Sequence, residues 1–505
     1  MWLRKQWEKQ HPGSDLVLDG LELHPHGVAE AQRRGYRHVQ QGLAEDAPTL
    51  FDAGSYDAVI AYELIEHVPD MDLFLEHLER MLTPNGVIYL STPDGCFGAG
   101  NNPHHLRALR SIDLAELLRR RGHLESMGVG QDDVTVAAYR PGPRKGELAI
   151  HTGGAWQRWS PLDINTRGLG GSETAAVKLA EALDEEGWVV TVYGDVDQGV
   201  HGNVVYRHHE TFDPLQDREV LIASRMPELF DRPTGARRRM LWMHDTDYGP
   251  RLTPERAAQI DDVLVLSGWH QMHVISAYPF LDGKLRIIRN GIDLDRFWPT
   301  KKEDVERPRK RRLLYTSSPD RGLDILLELW PRIRKRVPGA LFEFAYAPVY
   351  QAIAGQDPTV GKHHARIQEL AGQKGVTGHL DGLSQPELAR LMLESLVWAA
   401  PSYNTPHDTP FYETSCIGAM EAQAAGCHVV ASGWGALCET VKAGRLIPAG
   451  DGWRQELEDA IVEGLTNAEL QAHAQTLGPA AMVDMGWDGV AAEISELVEL
   501  VPTLA

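Results

Sequence analysis

Short, nearly continuous apolar runs recur along the chain, and they constrain its fold more than any other feature. A strand covered on both faces reads as a continuous apolar run, whereas a strand with one face in water alternates apolar and polar residues. Strand and helix patterns alternate, which predicts parallel sheets joined by helices. The clearest runs span residues 188–193, 220–223, 263–266, 341–345 and 396–400. We therefore expect an α/β protein built from doubly wound units.

Three blocks with this alternation follow one another in the 505 residues. A linker rich in proline and glycine at 140–146 marks a boundary, because such residues punctuate secondary structure. The first domain is thus predicted at 1–143. The second is predicted at 147–299 and the third at 300–505, where a charged segment precedes a further apolar strand.

The charge of the chain restricts its partners. Lys and Arg number 50 against 71 Asp and Glu, a formal net charge of -21, so general binding of nucleic acid through its phosphates is not expected. Two basic runs, at 237–239 and 310–312, each precede an apolar run. We interpret them as solvated strand ends, and peripheral contact with an acidic membrane surface is the alternative.

Cysteine usage and the N-terminus indicate the compartment. The four cysteines show no paired metal spacing and no secreted framework, and the first residues lack an apolar signal region. No stretch reaches the length of a membrane span. A cytoplasmic protein is therefore expected.

Two glutamates eight residues apart frame a predicted helix in the third block. Glu413 precedes the helix, Glu421 lies about two turns in, and Gly426 closes it before an apolar strand. At 1.5 Å per residue this spacing separates the carboxylates by roughly 10–12 Å. Carboxylates accept paired hydrogen bonds from vicinal hydroxyls, and a helix N-terminus attracts phosphate. The pattern suits a nucleotide sugar, although an ordinary helix with two surface glutamates is the alternative.

Glycines at a strand-to-helix turn form a second candidate contact for phosphate. Gly170 and Gly171 precede a helix whose apolar side carries Ala176, Leu179 and Leu183. Because glycine has no side chain, main-chain N–H groups can approach an anion there. Glycine turns are common, so this motif alone does not identify a ligand.

Together with three further segments, these motifs resemble the retaining GT-B glycosyltransferases of family 4, from about residue 145 to the C-terminus. The resemblance implies two Rossmann-like domains that face a cleft, the first binding the acceptor and the second the nucleotide sugar. The further segments are His244-Asp245-Thr246-Asp247, Asn290-Gly291-Ile292-Asp293 and Ser317-Ser318-Pro319-Asp320-Arg321.

The resemblance also implies roles for individual residues. Arg321 would bind the donor diphosphate, at a position where the family usually has lysine, with help from Gly170 and Gly171. Glu413 would hold sugar hydroxyls and Glu421 the ribose hydroxyls. By the same match, His244 would position the sugar close to the reacting carbon.

Two of these segments carry further expectations. Asp245-Thr246-Asp247 invites a metal-site interpretation, but two-domain enzymes of the resembled type neutralise the diphosphate with cationic side chains and helix ends, so no metal is expected. Asn290 and Gly291 both tolerate positive φ, which predicts a tight turn on the hinge side of the second domain.

The first block resembles the back half of a class I S-adenosylmethionine-dependent methyltransferase. Residues 56–70 and 81–93 each carry a strand pattern with the family's adjoining turn or helix. Residues 18–23 are similar to the family's second strand, where an acidic residue holds the cofactor ribose. The match implies Glu22 for that role and puts Glu45 in the adenine loop.

The glycine-rich loop of that family has no counterpart before residue 18. About fifteen residues precede Leu16, with Gly13 as their one glycine, too few for a strand, a loop and a crossover of at least 10–12 residues. Either the true start lies upstream, or the block is a Rossmann-like remnant with a docking or structural role. Binding of S-adenosylmethionine is therefore doubtful.

The expected function is retaining, metal-independent transfer of a hexose-like sugar from a nucleoside diphosphate sugar. The acceptor, a glycan, lipid, protein or small molecule, is not identified by the sequence, and no cofactor is required. Three alternatives stay open: a bifunctional protein whose first domain methylates, a phosphorylase- or synthase-like enzyme on the same fold, and a carbohydrate-binding protein without activity.

Overall fold

The computed structural model describes residues 15–95, 104–130, 133–155, 157–298, 309–346, 349–403, 406, 409 and 411–499. The chain forms two compact units, Met1–Arg144 and Lys145–Ala505. Among the described residues, no helix is both long enough and apolar enough to cross a bilayer.

The N-terminal unit contains two small sheets. The first pairs β1 (Asp19–Glu22) in parallel with β2 (His38–Gln41), and α1 (Pro25–Arg33) connects them. The second consists of β3 (Tyr56–Tyr62), β4 (Leu82–Pro93), β5 (Gly122–Val129) and β6 (Val134–Pro141), with α2 (Ala47–Leu50), α3 (Met71–Met81) and α4 (Ser111–Arg119). Its order is β3-β4-β6-β5, and only the β3–β4 pair is parallel.

The strands β1 and β3 each have one partner among the described residues, β2 and β4, so each presents an unpaired edge. Apolar side chains on or beside these strands are exposed: Val17 by 54%, Ile60 by 43% and Tyr62 by 57%. The hydroxyl of Tyr56 donates a hydrogen bond of 2.9 Å to Asp19. This bond links the two sheets of the unit.

The C-terminal unit begins with an eight-stranded lobe. Its strands are β7 (Gly146–Gly153), β8 (Trp188–Gly194), β9 (Gly199–His201), β10 (Val204–His208), β11 (Arg218–Ser224), β12 (Ala236–Trp242), β13 (Asp262–Val265) and β14 (Leu285–Ile287). Its helices are α5 (Asp163–Thr166), α6 (Gly171–Glu185), α7 (Pro254–Ala258) and α8 (Gly268–Ala277). The sheet order is β14-β13-β12-β11-β7-β8-β10-β9, parallel except for β9.

The second lobe contains a six-stranded parallel sheet of order β17-β16-β15-β18-β19-β20, formed by β15 (Lys310–Tyr315), β16 (Leu341–Ala345), β17 (Val376–His379), β18 (Ser395–Ala400), β19 (His428–Ser432) and β20 (Gly444–Ile447). Its helices are α9 (Leu323–Arg336), α10 (Val349–Gln356), α11 (Pro358–Ala371), α12 (Gln385–Leu393), α13 (Ile417–Ala424), α14 (Leu437–Thr440), α15 (Trp453–Thr466), α16 (Ala468–Ala481) and α17 (Trp487–Glu499).

Alternate residues of one strand enter different buried clusters, which explains the continuous apolar runs. In β7, Leu148 and Ile150 join one cluster and Ala149 joins another. Successive side chains of a strand point to opposite faces, so both faces of this sheet are covered. The helix α17 packs against the first lobe, where Trp188 donates a hydrogen bond of 2.9 Å to Ser495.

The two basic runs are paired with carboxylates. Arg238 contacts the buried Asp262, Arg239 lies 2.9 Å from Asp261, and Arg312 lies 2.7 Å from Glu343. This pairing favours the interpretation as strand ends, but Arg312 is only 3% exposed, so the expectation that these ends are solvated is wrong for that residue. Membrane contact stays a prediction.

Candidate active site

Arg321 and Glu413 meet at the carboxyl edge of the second lobe. Arg321 follows β15 and Glu413 follows β18, and because these strands are neighbours their loops leave the same edge of the sheet. Arg321 Nη1 lies 3.3 Å from Glu413 Oε1. The guanidinium carbon also stacks 4.4 Å from the centre of the Phe411 ring. Glu413 is only 6% exposed, so the pair forms a charged, partly buried corner.

Two glycines shape this corner. Gly322 has a φ of +97°, and a Cβ there would lie 2.2 Å from the carbonyl oxygen of Pro401. Gly435 has a φ of +61°, and its Cβ would lie 3.0 Å from the carbonyl oxygen of Glu413. Only glycine fits both the backbone conformation and the space. Close backbone packing at these two glycines therefore fixes the loops that carry Arg321 and Glu413.

The helix after Glu413 begins later than predicted. Cys416 adopts a left-handed conformation with a φ of +65°, so α13 begins only at Ile417. Glu421 therefore lies just over one turn into the helix, and the predicted position two turns in is wrong. Gly426, with a φ of +76°, follows the helix before β19.

Glu421 is buried beside the turn that leads into the second lobe. Its Oε1 lies 3.8 Å from Arg296 Nη1, and Arg296 Nε donates a hydrogen bond of 2.9 Å to Asp293. Burial raises the pKa of Glu421 to about 7; the Asp293 carboxylate adds to the rise, and Arg296 opposes it. The carboxyl group therefore changes charge near neutral pH.

His244 follows β12 in the first lobe and approaches the loop that carries Glu413. Its carbonyl oxygen accepts a hydrogen bond of 3.0 Å from the Thr414 hydroxyl. Its ring lies 4.3 Å from that of Trp242, and its buried Nε2 has no hydrogen-bond partner. Burial lowers the pKa of His244 to about 3, with a contribution from the nearby Arg225. The imidazole is thus neutral at physiological pH.

Gly170 and Gly171 stand at the N-terminus of α6 beside a cavity of about 240 Å³. Gly170 lines this cavity together with Arg225 and Arg251, whereas Arg321 does not. Most residues that line this cavity belong to the first lobe, and Val349 of the second lobe completes the lining. Its contact with a donor diphosphate stays a prediction.

The acidic segment after β12 is occupied by protein partners. Arg225 Nε donates a hydrogen bond of 2.8 Å to Asp245. Asp247 accepts hydrogen bonds from the Tyr278 hydroxyl and, at 2.8 Å, from the Gly249 amide. These partners use carboxylate oxygens that a metal would need.

The turn at Asn290 and Gly291 requires glycine for a different reason from the one that we predicted. Neither residue has a positive φ. A Cβ on Gly291 would lie 2.8 Å from backbone and ring atoms of Trp487, and Ile292 donates a hydrogen bond of 2.8 Å to Met485. The glycine is needed for close packing against the start of α17.

The residues proposed for S-adenosylmethionine both lie beside the first small sheet of the N-terminal unit. Glu22 accepts a hydrogen bond of 3.0 Å from the His24 amide and packs against Gly27. Glu45 lies in a short turn after β2. Gly13 lies outside the described residues. The roles of Glu22 and Glu45 in binding S-adenosylmethionine stay predictions.

Comparison with known proteins finds similar proteins for both units. Residues 310–467 match a family model described as Glycosyl transferases group 1, and residues 7–90 match one described as Methyltransferase domain. Sucrose-phosphate synthase from Thermosynechococcus elongatus aligns with 70% of this chain and 98% of its own length, with a TM-score of 0.51 and 16% identity. The C-terminal unit has the GT-B glycosyltransferase fold.

A second solved structure agrees with the first. HepE from Anabaena, in complex with UDP and glucose, covers 70% of this chain and 100% of its own, with a TM-score of 0.50 and 16% identity. The expected two-lobed fold of this glycosyltransferase unit is thus confirmed.

The N-terminal unit is a methyltransferase-like Rossmann domain. A probable S-adenosylmethionine-dependent methyltransferase from Mycolicibacterium smegmatis is 35% identical over 122 residues, which is 22% of this chain and 47% of the relative. The chain thus spans about half the length of this curated relative.

Three residues of the glycosyltransferase unit escaped the sequence analysis. Phe411 stacks on Arg321, Thr414 joins the two lobes, and Arg296 faces Glu421. Phe411 and Thr414 flank Glu413 in the sequence, so their position beside a predicted site residue could have identified them as candidates. Arg296 lies 125 residues from Glu421 in the sequence, and no local pattern connects them.

Proposed function

We propose that the C-terminal unit transfers a hexose-like sugar from a nucleoside diphosphate sugar to an acceptor hydroxyl, with retention at the anomeric carbon. The observation that carries this proposal is the Arg321–Glu413 corner, 3.3 Å across, at the carboxyl edge of a sheet in a GT-B fold. A cation for diphosphate and a carboxylate for hydroxyls there match the two chemical parts of such a donor.

Each polar group has a distinct task in this proposal. Arg321 and the N–H groups of nearby main chain stabilise the negative charge that develops on the departing diphosphate. Glu413 accepts hydrogen bonds from sugar hydroxyls, and Glu421 accepts them from the ribose. The neutral His244 donates or accepts a single hydrogen bond to the sugar without adding charge.

In the transfer step, the bond between the anomeric carbon and the diphosphate oxygen breaks. A bond from the acceptor hydroxyl oxygen forms on the same face of the sugar, and the hydroxyl proton passes to the leaving diphosphate. We assign no covalent nucleophile to the protein.

The acceptor, in this proposal, enters from the first lobe. The cavity of about 240 Å³ beside Gly170 is lined by Arg225 and Arg251 and by the carboxylate of Glu173. These groups offer both donors and acceptors to a polar molecule. The reaction needs no metal, because Arg321 neutralises the diphosphate, and we propose that it takes place in the cytoplasm.

Incubation of the purified chain with a panel of nucleoside diphosphate hexoses tests the proposal. Mass spectrometry should detect release of free nucleoside diphosphate from one donor class without added inorganic phosphate. Because a related fold was solved with UDP and glucose, UDP-hexoses are the first donors to try.

Two variants sharpen this test. Glu413→Gln should lose the release, whereas Glu456→Gln, a change in a surface ion pair with Arg445, should not. Release that depends on phosphate would favour the phosphorylase alternative. A panel in which no donor binds or reacts would contradict the proposal.

A further inference from the structure

A buried carboxylate in the N-terminal unit lies between two histidines. Glu66 is 1% exposed, and both of its carboxylate oxygens are without a hydrogen-bond partner. Its Oε1 lies 4.0 Å from Nε2 of His67 and 4.0 Å from Nε2 of His105. These distances exceed hydrogen-bond length. An ionised carboxylate in this position is costly unless a cation compensates its charge.

The second histidine is held in place by the backbone. The Glu66 carbonyl oxygen accepts a hydrogen bond of 2.9 Å from the Leu106 amide. Arg107 donates one of 2.8 Å to the Pro69 carbonyl oxygen. The rings of His67 and His105 meet edge to face, with centres 4.8 Å apart. The arrangement is therefore built by the fold rather than by chance contact of mobile side chains.

The orientation of His67 favours a ligand at its other nitrogen. Its Nδ1 lies 2.9 Å from the His104 carbonyl oxygen, which can only accept a hydrogen bond. Nδ1 must therefore carry the proton, and the lone pair of the neutral ring lies on Nε2, which faces Glu66. An imidazole oriented by a carbonyl in this way is the usual arrangement of a metal ligand.

We propose that Glu66, His67 and His105 bind a divalent transition-metal ion of the Zn²⁺ type. Within the described residues they are the one group of three such side chains whose ligand atoms all lie within 4.8 Å of one another. Two imidazoles and one carboxylate are a donor set that Zn²⁺ accepts, with bonds of about 2.0–2.2 Å and a position left for water. Small side-chain rotations bring the atoms from 4.0 Å to the roughly 3.3 Å separation of tetrahedral ligands at such bond lengths. The proposal does not depend on glycosyl transfer.

Metal titration of the full chain tests the site. The protein is stripped with a chelator and titrated with Zn²⁺ against a chromogenic competitor, and Co²⁺ is then used as a spectroscopic probe. The wild-type protein should bind one more equivalent of Zn²⁺ tightly than Glu66→Gln or His105→Gln does. Because loss of an outer partner alone costs about 10–100-fold, loss of a ligand should weaken this equivalent at least about 100-fold. His38→Gln, a change of an exposed histidine, should leave it unchanged.

Thermal unfolding provides a second measurement that a purely structural role would not reproduce. Without metal, Glu66→Gln should be more stable than wild type, since the change removes a buried carboxylate whose two oxygens have no hydrogen-bond partner. With Zn²⁺, the order should reverse. Equal metal binding in wild type, Glu66→Gln and His105→Gln would overturn the proposal, and so would an equal loss in His38→Gln.

Discussion

The two units use the same kind of strand in different surroundings. In the glycosyltransferase unit, β7 lies between β8 and β11, and Leu148, Ala149 and Ile150 are buried. In the N-terminal unit, β3 has β4 as its one partner among the described strands, and Ala61 is its one buried residue.

This difference shows which edge of a sheet can form a functional site. Loops converge when the carboxyl ends of neighbouring parallel strands lie side by side, as at Arg321 and Glu413. An interrupted sheet brings fewer loops together, and the polar group around Glu66 lies in the single loop that follows β3 and in the segment that carries His105. We therefore expect donor chemistry to depend on the C-terminal unit alone.

The largest effect is expected from Arg321→Ala. Removing the cation that faces the diphosphate should lower kcat/KM for the donor by about 10²–10³-fold. Arg366→Ala, which changes an exposed residue paired with Glu328, is the matched control. Steady-state kinetics, with a thermal melt to exclude unfolding, measure the change. An Arg321→Ala enzyme that keeps nearly full activity would remove this residue from the site.

Glu421→Ala should weaken donor binding. Loss of a charge-assisted acceptor for ribose hydroxyls costs about 1.5–3 kcal/mol, which raises the donor KM by about 10–150-fold. Glu463→Gln, a change in the surface pair with Arg445, should behave as wild type. An unchanged KM would show that Glu421 does not contact the donor.

Donor affinity should rise with pH through the pKa of Glu421, about 7. Because burial raises this pKa above its unfolded value, the folded protein keeps the group protonated below pH 7, and the stability gained by protonation is lost as pH rises. The ionised form binds hydroxyls better, so affinity should increase up to about tenfold between about pH 6 and pH 8. Calorimetry of nucleoside diphosphate binding measures it. The same rise in Glu421→Gln would assign the effect to the ligand instead.

Tyr56→Phe should loosen the N-terminal unit and leave the other unit unchanged. The lost hydrogen bond to the Asp19 carboxylate contributes about 1.5 kcal/mol. Hydrogen exchange followed by mass spectrometry should therefore show faster exchange in β1 and β3. Equal acceleration in β15 and β18 would contradict the separation of the two units.

The smallest effect is expected from removing the N-terminal unit. A chain starting at Lys145 keeps every buried cluster of the glycosyltransferase unit, so kcat/KM should stay within about twofold of the full chain. A folded fragment without turnover would show that the N-terminal unit contributes to the active site.

Chelation by EDTA should likewise leave turnover unchanged.

Local sequence patterns predicted the elements well where one physical rule dominates. The run at 396–400 lies in β18, where every residue is buried, so no alternation of apolar and polar residues obscures the strand. The run at 341–345 is β16, although Leu341 is exposed and Glu343 is only partly buried. The start of α13 was missed, since the left-handed Cys416 is a conformation that cysteine does not signal. The assigned roles of Arg321, Glu413, Glu421 and His244 stay predictions.

The sequence by itself determined the strands, the helices and the residue types able to bind a nucleotide sugar, since periodicity and residue chemistry act over a few positions. Only the tertiary structure decided which of these residues meet. Arg321 pairs with Glu413 because β15 adjoins β18, Thr414 reaches His244 across two lobes, and His105 reaches Glu66 through a backbone contact. Such encounters depend on sheet order and loop path, which are set by the summed packing of the whole chain and not by neighbours in the sequence.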